Sequence, residues 1–221
     1  MTRVAIKVCG ITEERDALEA TQLGADALGF NFWQKSPRYV EPETARRIVE
    51  RLPVFVVKVG VFVDEPIIRM LEIARQVGLT AVQLHGSESP QTGAALAPLA
   101  WYKALRVGPA FTPEDLASYP CTTFLLDGFR AEVPGGSGVA FEWRRARALS
   151  VYGRIVIAGG LDPSNVGLAI EDARPYGVDV ASGVEIAPGK KDLDRLELFV
   201  ESVRRAERTI EAEERGRGAS G

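Results

Sequence analysis

Residues 4–32 read VAIKVCGITEERDALEATQLGADALGFNF, and this stretch decides the fold. Residues 4–9 alternate between two faces, as expected of a β-strand. Apolar residues at helical spacing follow in residues 13–22, and Gly24 stands where a left-handed residue can close a helix. A second short apolar run follows at residues 27–32. The stretch therefore predicts a strand, a helix and the next strand of a repeated βα unit.

The same unit recurs along the chain, because short apolar runs alternate with longer charged segments throughout. The runs are residues 4–9, 27–32, 54–62, 81–85, 101–107, 122–127, 155–158 and 178–181. Phrases similar to residues 23–26 recur at residues 77–80 and 176–179, and each is expected to end a helix at its glycine. Thr12 is expected to cap the first helix. Eight units predict an α/β fold, a single-domain (β/α)8 TIM barrel, rather than a doubly wound sheet of about six strands.

Residues 1–210 are interpreted as the barrel, with a closing helix after Leu193. Residues 211–221 form a polar tail that has nothing to bury, so we expect it to be frayed.

Composition excludes several classes of protein. Hydrophobic residues make up 46% of the 221 residues and charged residues 26%, which is enough apolar material for a large core. The net charge of −3 predicts no nucleic-acid partner, and no apolar stretch approaches the roughly 20 residues of a membrane helix. Two cysteines and no visible secretory signal favour a cytoplasmic location. One histidine excludes zinc sites built from several His and Cys ligands, although a site of carboxylates alone stays open.

Cys9 is a candidate catalytic residue. In such a barrel the reactive groups lie at the C-terminal ends of the strands, and Cys9 ends the first one with its side chain on the inner face. A lone cysteine is as often an inert core residue. Lys7 lies two residues upstream on the same face, where its charge is expected to favour the thiolate.

Asp127 ends the sixth strand and is the second candidate. The simpler interpretation is a turn-forming aspartate satisfied by nearby amides. The same position places a carboxyl across the barrel mouth from Cys9, which suits a reaction that needs one acid and one base.

Two glycine-bearing corners follow the seventh and eighth strands, where many such barrels bind phosphate. Gly159 and Gly160 form the first corner, and Ser182 and Gly183 belong to the second. Their backbone amides are expected to converge on an anion, although a double glycine can also be only a tight turn. Asp179, on the last strand, is expected to orient a sugar hydroxyl.

Five further polar residues lie on or just after the predicted strands. Arg38, after the second strand, can hold a carboxylate through two hydrogen bonds, although a solvated arginine is the commoner case. Gln83 and His85 share one face of the fourth strand and can both reach the mouth. Lys58 and Lys103 lie on strands, and either one as a Schiff-base lysine would indicate an aldolase.

The sequence resembles the phosphoribosylanthranilate isomerase family, which consists of single-barrel enzymes of tryptophan biosynthesis. The resemblance covers nearly the whole chain, and its motifs in this order are highly specific. They are IKVCGIT (6–12), GADALGFNFWQKSPRYV (24–40), KVGVFVDEP (58–66), AVQLHG (81–86), FLLDG (124–128), GGSG (135–138), AGGLDPSNV (158–166) and YGVDVASGVE (176–185).

The resemblance implies an Amadori rearrangement of a phosphosugar, N-(5-phosphoribosyl)anthranilate, without metal or organic cofactor. By matching motifs, Cys9 is the general base and Asp127 the general acid, so the pKa of Asp127 is expected to be raised and that of Cys9 lowered. The same matching gives Arg38 the anthranilate carboxylate, Asp179 the sugar, and the two glycine corners the phosphate. One departure is visible at Ser137, because family members often carry GGTG and then a lysine.

The residues alone leave other functions open. These are another phosphosugar barrel, such as an epimerase or a Schiff-base aldolase, and a noncatalytic barrel that only binds phosphate. A metal-dependent epimerase of this fold would need paired histidines, and His85 is the only one. The sequence predicts either a monomer or a homodimer.

Overall fold

The computed structural model describes residues 3–108, 111–128 and 138–218, and within them eight parallel strands close into a barrel in chain order. The strands are β1 (Ala5–Cys9), β2 (Ala27–Asn31), β3 (Val57–Phe62), β4 (Ala81–Leu84), β5 (Ala100–Arg106), β6 (Thr123–Asp127), β7 (Arg154–Ala158) and β8 (Gly177–Val180). The barrel closes where β1 pairs with β8, with Lys7 opposite Asp179. The predicted (β/α)8 barrel is confirmed.

Helices follow the strands and cover the outside of the barrel. They are α1 (Glu14–Leu23), α2 (Pro42–Val49), α3 (Ile67–Val77), α4 (Pro90–Ala94), α5 (Glu114–Ala117), α6 (Gly138–Ala148), α7 (Val166–Ala173) and α8 (Leu193–Gly218). Short 3-10 helices lie at Leu149–Tyr152 and Ser182–Val184. Between β8 and α8 the chain forms an antiparallel hairpin of β9 (Glu185–Ala187) and β10 (Lys190–Lys191), where the sequence predicted only a loop.

The main core lies between the outer face of the strands and the helices. Ile6 and Val8 of β1 are fully buried there, so the two faces of the first strand are as predicted. α8 contributes buried residues every three or four positions, from Leu196 to Ile210. Each such side chain contributes about 1.5–3 kcal/mol when fully buried, which holds the last helix against the barrel.

Two local predictions were wrong. Gly24 and Gly78 do end α1 and α3 in the left-handed conformation, but α7 ends at Arg174 (φ 50°), and Gly177 instead begins β8. Gly177 packs against β1, where a methyl group would lie 2.9 Å from the Ala5 carbonyl oxygen. The Thr12 hydroxyl does not cap α1, because it donates to the Gly189 carbonyl of the hairpin at 2.6 Å.

α8 continues through residues 211–218, and the expectation that this polar tail frays stays a prediction. Residues 211–216 are exposed, so burial does not hold this part of the helix. Two ion pairs lie here, with Arg215 3.7 Å from Glu211 one turn away and Arg174 3.0 Å from Glu213, and pairs of this kind contribute about 0.2–1 kcal/mol each. The boundary at residue 210 stays a prediction. Over the described residues, no helix has both the length and the apolar character needed to cross a bilayer.

Candidate active site

Cys9 and Asp127 lie at the same rim of the barrel, because they are the last residues of the parallel strands β1 and β6. Each of the two side chains lies against a glycine, because a larger residue there would collide with it. A methyl group at Gly29 would lie 2.7 Å from Cys9 Sγ, and one at Gly159 would lie 2.5 Å from Asp127 Oδ1. The sequence therefore makes space for each of the two groups with a glycine on the neighbouring strand or corner.

Lys7 and Asp179 form a buried ion pair one layer below Cys9, with Lys7 Nζ 2.8 Å from Asp179 Oδ1. Burial would lower the pKa of Lys7, but Asp179 and the nearby Cys9 raise it above its usual value. Lys7 is therefore a fixed positive charge at the pH of the cell.

The environment of Cys9 corrects one prediction. Burial raises the pKa of the Cys9 thiol, and the opposing effect of Lys7 does not overcome it. The Asp179 carboxylate adds to the rise. Lys7 thus acts in the predicted direction, but the resulting pKa is higher than that of an ordinary thiol, not lower.

A chain of side-chain contacts leads from inside the barrel to Asp127. The Tyr102 hydroxyl donates to Gln83 Oε1 at 2.8 Å, and Gln83 Nε2 lies 2.6 Å from His85 Nδ1. His85 Nε2 in turn lies 3.3 Å from Asp127 Oδ2. An amide nitrogen only donates, so Nδ1 of His85 accepts and its proton is on Nε2, directed toward Asp127. Gln83 and His85 share one face of β4 as predicted, and the arrangement orients Asp127.

The predicted phosphate corners come together above β7 and β8. Gly159 and Gly160 have positive φ angles of 88° and 68°, a conformation that favours glycine and turns the backbone sharply. Ser182 and Gly183 lie in the 3-10 helix, and a methyl group at Gly183 would lie 1.9 Å from the Leu161 carbonyl oxygen. This close packing holds the two corners against each other.

Arg38 lies at the mouth but is not a free surface arginine. Its Nε is 2.9 Å from Glu185 Oε1, and its Nη2 is 2.6 Å from Glu185 Oε2. The stem of Arg38 crosses Gly10, where a methyl group would lie 2.5 Å from Arg38 Cδ. Lys191 completes the cluster with its ammonium 2.7 Å from Glu185 Oε1.

The two lysines considered for a Schiff base do not reach the mouth. Lys58 Nζ donates to the carbonyl groups of Pro53 and Val54 below the barrel. Lys103 forms a buried ion pair with Glu88 at 2.9 Å on the outer face. Neither amine is placed to attack a carbonyl of a ligand in the barrel mouth.

Ser137 and the rest of its loop lie outside the described residues. Among the residues that are described, no three or more His, Cys, Asp or Glu side chains are grouped so that they could hold a metal ion.

Comparison with known proteins decides the family. The sequence model of the N-(5'-phosphoribosyl)anthranilate (PRA) isomerase family matches residues 6–202. The chain belongs to this family. It is 47% identical over 203 residues to the N-(5'-phosphoribosyl)anthranilate isomerase of Geobacter sp. (strain M21), covering 90% of this chain and 97% of that protein.

Two solved structures of the PRA isomerase family are closely similar. One is a phosphoribosylanthranilate isomerase in complex with reduced 1-(o-carboxyphenylamino)-1-deoxyribulose 5-phosphate, at 40% identity and a TM-score of 0.82, covering 91% of this chain and 98% of that chain. The other contains monomers generated from the dimeric enzyme of Thermotoga maritima, at 39% identity and a TM-score of 0.77, with the same coverage.

From the sequence alone, no role was assigned to Tyr102, Glu185 and Lys191. The structure connects all three to the site. Glu185 holds Arg38, Lys191 pairs with Glu185, and Tyr102 begins the chain of contacts to Asp127. Glu185 follows β8 in an active-face loop, which is a usable signal. Lys191 ends the same predicted loop, but the hairpin that brings it back to Glu185 was not predicted.

Proposed function

We propose that this chain isomerises N-(5'-phosphoribosyl)anthranilate by an Amadori rearrangement, the step that its family performs in tryptophan biosynthesis, with Cys9 as base and Asp127 as acid. The observation that carries the proposal is the placement of these two titratable groups of different type on one rim of a barrel of this family. No atoms enter or leave in this reaction, so an acid and a base are sufficient.

Asp127 acts first. Its carboxyl donates a proton to the furanose ring oxygen while the bond from that oxygen to C1 breaks. The lone pair of the anthranilate nitrogen forms the new C1=N bond, which gives a protonated Schiff base. His85, 3.3 Å from Asp127, holds the carboxyl in place for this transfer.

Cys9 acts second. Its thiolate removes the proton from C2, and the electrons of that C–H bond form C1=C2 while the C1=N electrons return to nitrogen. The enolamine then relaxes to the ketone, with a proton added at C1 and the C2 hydroxyl becoming a carbonyl. The raised pKa of Cys9 makes its thiolate a strong base at the cost of a small population.

The remaining predicted residues bind the substrate. Arg38 holds the anthranilate carboxylate, and Asp179 contacts the sugar with Oδ2, since Oδ1 accepts from Lys7. Gln83 supports the sugar end of the site through His85. The backbone amides of the two glycine corners, at Gly159, Gly160, Ser182 and Gly183, bind the phosphate.

Turnover of freshly made phosphoribosylanthranilate, followed by its fluorescence, tests the proposal. We expect Cys9→Ser and Asp127→Asn each to lower kcat by about 10²- to 10⁴-fold, the usual contribution of a positioned acid or base. Cys121→Ser is the matched control, because Cys121 precedes β6 at the opposite rim, and it should turn over normally. A variant of Cys9 or Asp127 that retains near-normal turnover would remove that residue from the mechanism. Binding of the reduced product analogue without any turnover would leave only a phosphate-binding barrel.

We also propose that two copies of this chain form a homodimer. The exposed fractions of Phe55 and Val54, 96% and 80%, are high for large apolar side chains, and both lie in the segment before β3. Contiguous apolar exposure of this kind is typical of protein interfaces. The relative from Thermotoga maritima is described as dimeric. The cytoplasmic location and the absence of nucleic-acid partners stay predictions.

A further inference from the structure

A cluster of three charged side chains lies beside the mouth, made of Arg38, Glu185 and Lys191. We refer to it as the arginine cluster. We propose that Glu185 and Lys191 are positioning residues for Arg38: Glu185 aims the guanidinium at the substrate, and Lys191 offsets the charge of Glu185 so that the cluster stays positive. This inference rests on the proposed function, which gives Arg38 the carboxylate of the substrate.

The hydrogen bonds of Arg38 determine which edge of its guanidinium group is available to a ligand. Glu185 takes the side edge, because it accepts from Nε at 2.9 Å and from Nη2 at 2.6 Å. Nη1 has no acceptor among the described residues, so the end edge, formed by Nη1 and the second N–H of Nη2, is left for a ligand. A planar guanidinium held along one edge presents the other edge in a fixed direction.

Charge explains why Lys191 is needed. A buried carboxylate against Arg38 alone would give a neutral pair with little attraction for an anion. The side chain of Lys191 is fully buried, and its ammonium lies 2.7 Å from Glu185 Oε1, the same carboxylate that holds Arg38. Two cations on one anion leave the cluster with a charge of about +1. Burial alone would raise the pKa of Glu185, but hydrogen bonds from Arg38 and Lys191 hold it below its usual value, so Glu185 is ionised.

The cluster is also tied to the catalytic strand. Lys191 Nζ donates to the Cys9 carbonyl at 2.6 Å, and the backbone N–H of Lys191 donates to the buried Asp16 of α1 at 2.7 Å. Thr12 holds the hairpin at Gly189. The hairpin therefore sets the position of Arg38 relative to Cys9.

The test compares two ligands by titration calorimetry: the reduced product analogue, and the same compound without its carboxyl group. Their affinity ratio is the carboxyl preference, and Arg38→Met should abolish it. In Lys191→Met we expect the carboxyl preference to fall about tenfold, because the cluster becomes neutral, while the compound without the carboxyl binds as before. The adjacent Lys190→Met is the matched control, since Lys190 is exposed, and it should keep the preference.

A second variant separates positioning from a purely structural role. The double variant Glu185→Gln, Lys191→Met returns the net charge of the arginine cluster to about +1. Its carboxyl preference should therefore recover in part relative to Lys191→Met. Equal loss of both ligands in Lys191→Met, or no recovery in the double variant, would overturn the inference. If Lys191→Met does not fold, Lys191→Gln decides by the same comparison: it keeps an N–H donor for Glu185 but removes the charge, so the carboxyl preference should fall while the compound without the carboxyl binds as before, and an unchanged preference would overturn the inference. If the proposed function itself fails, the wild type shows no turnover and no carboxyl preference.

Discussion

Replacing Lys7 by methionine removes the cation that opposes the raised pKa of Cys9. Cys9 Sγ and Lys7 Cε are close to each other. A methyl group at Gly29 would lie 2.7 Å from Cys9 Sγ and 3.2 Å from Lys7 Cε. Cys9 Sγ and Lys7 Nζ are therefore at most about 7 Å apart, allowing one further C–N bond. At that distance and an effective dielectric constant of about 20, two unit charges attract by about 2.4 kcal/mol.

The loss of this attraction should lower kcat/KM. A difference of about 2.4 kcal/mol in the free energy of the thiolate is about 50-fold in its population. Two effects reduce this loss of thiolate. A buried Asp179 without Lys7 tends to take up a proton, which removes its own negative charge near Cys9, and a thiolate with a higher pKa is a stronger base. We therefore expect kcat/KM to fall about 5- to 50-fold, with the pKa of Cys9 raised further.

Two measurements check the prediction. Turnover is followed by the fluorescence of phosphoribosylanthranilate. The ionisation of Cys9 is followed separately by the pH dependence of alkylation with iodoacetamide, in a Cys121→Ala background where Cys9 is the only cysteine. Lys58→Met is the matched control, since Lys58 is also a buried strand lysine but binds carbonyl groups away from the mouth. An unchanged or lowered pKa of Cys9 in Lys7→Met would refute the electrostatic reasoning, whatever happens to turnover.

Three further predictions follow from the same structure. In the wild type, the alkaline limb of kcat/KM should lie above the ordinary range of a thiol, because the active pair holds one proton and loses it at the higher of its two pKa values, and burial raises the pKa of Cys9; an alkaline limb near neutral pH would contradict this. Lys103→Met leaves the buried Glu88 carboxylate without a cation, although the backbone N–H groups of Asp64 and Gly86 still donate to it, so the variant should lose about 3 kcal/mol in the free energy of unfolding by urea while the folded protein keeps its turnover; loss of turnover in the folded variant would return the Schiff-base alternative. Phe55→Asp should shift sedimentation from dimer to monomer, and a variant that sediments like the wild type would exclude this loop from the interface.

The sequence was sufficient for the fold because each βα unit carries its own local signals. Every predicted strand matches an observed one within about three residues at its ends, since apolar runs and the phrases around Gly24 and Gly78 need only neighbours in the chain. The prediction that Gly177 ends a helix was wrong for the opposite reason. That glycine is required by the approach of β8 to the Ala5 carbonyl of β1, a contact between the two ends of the barrel that no local pattern contains.

The site shows the same division. Cys9, Asp127, Gln83 and His85 follow from strand alternation and strand ends, so the sequence places them at the mouth. The sequence does not show whether the pKa of Cys9 is raised or lowered. That depends on whether burial outweighs the attraction of Lys7, and the Asp179 carboxylate offsets much of the Lys7 charge. Glu185 and Lys191 were unassigned because the contact of Glu185 with Arg38 spans 147 residues, and the contact of Lys191 with Glu185 depends on the unpredicted hairpin.

The buried charges of the rim are divided into two groups with different net charge. Lys7 and Asp179 cancel each other beside Cys9, so burial controls the proton there. The arginine cluster keeps a positive charge and lies where we place the substrate carboxylate. This division suits a reaction in which one group must hold a proton and the other must take one. A strong positive charge beside the thiol and the acid would ionise both and remove the proton that Asp127 has to donate. Burial acts in the other direction at Cys9, where it raises the pKa of the thiol, and the carboxylates of Asp179 and Glu185 offset the nearby cations.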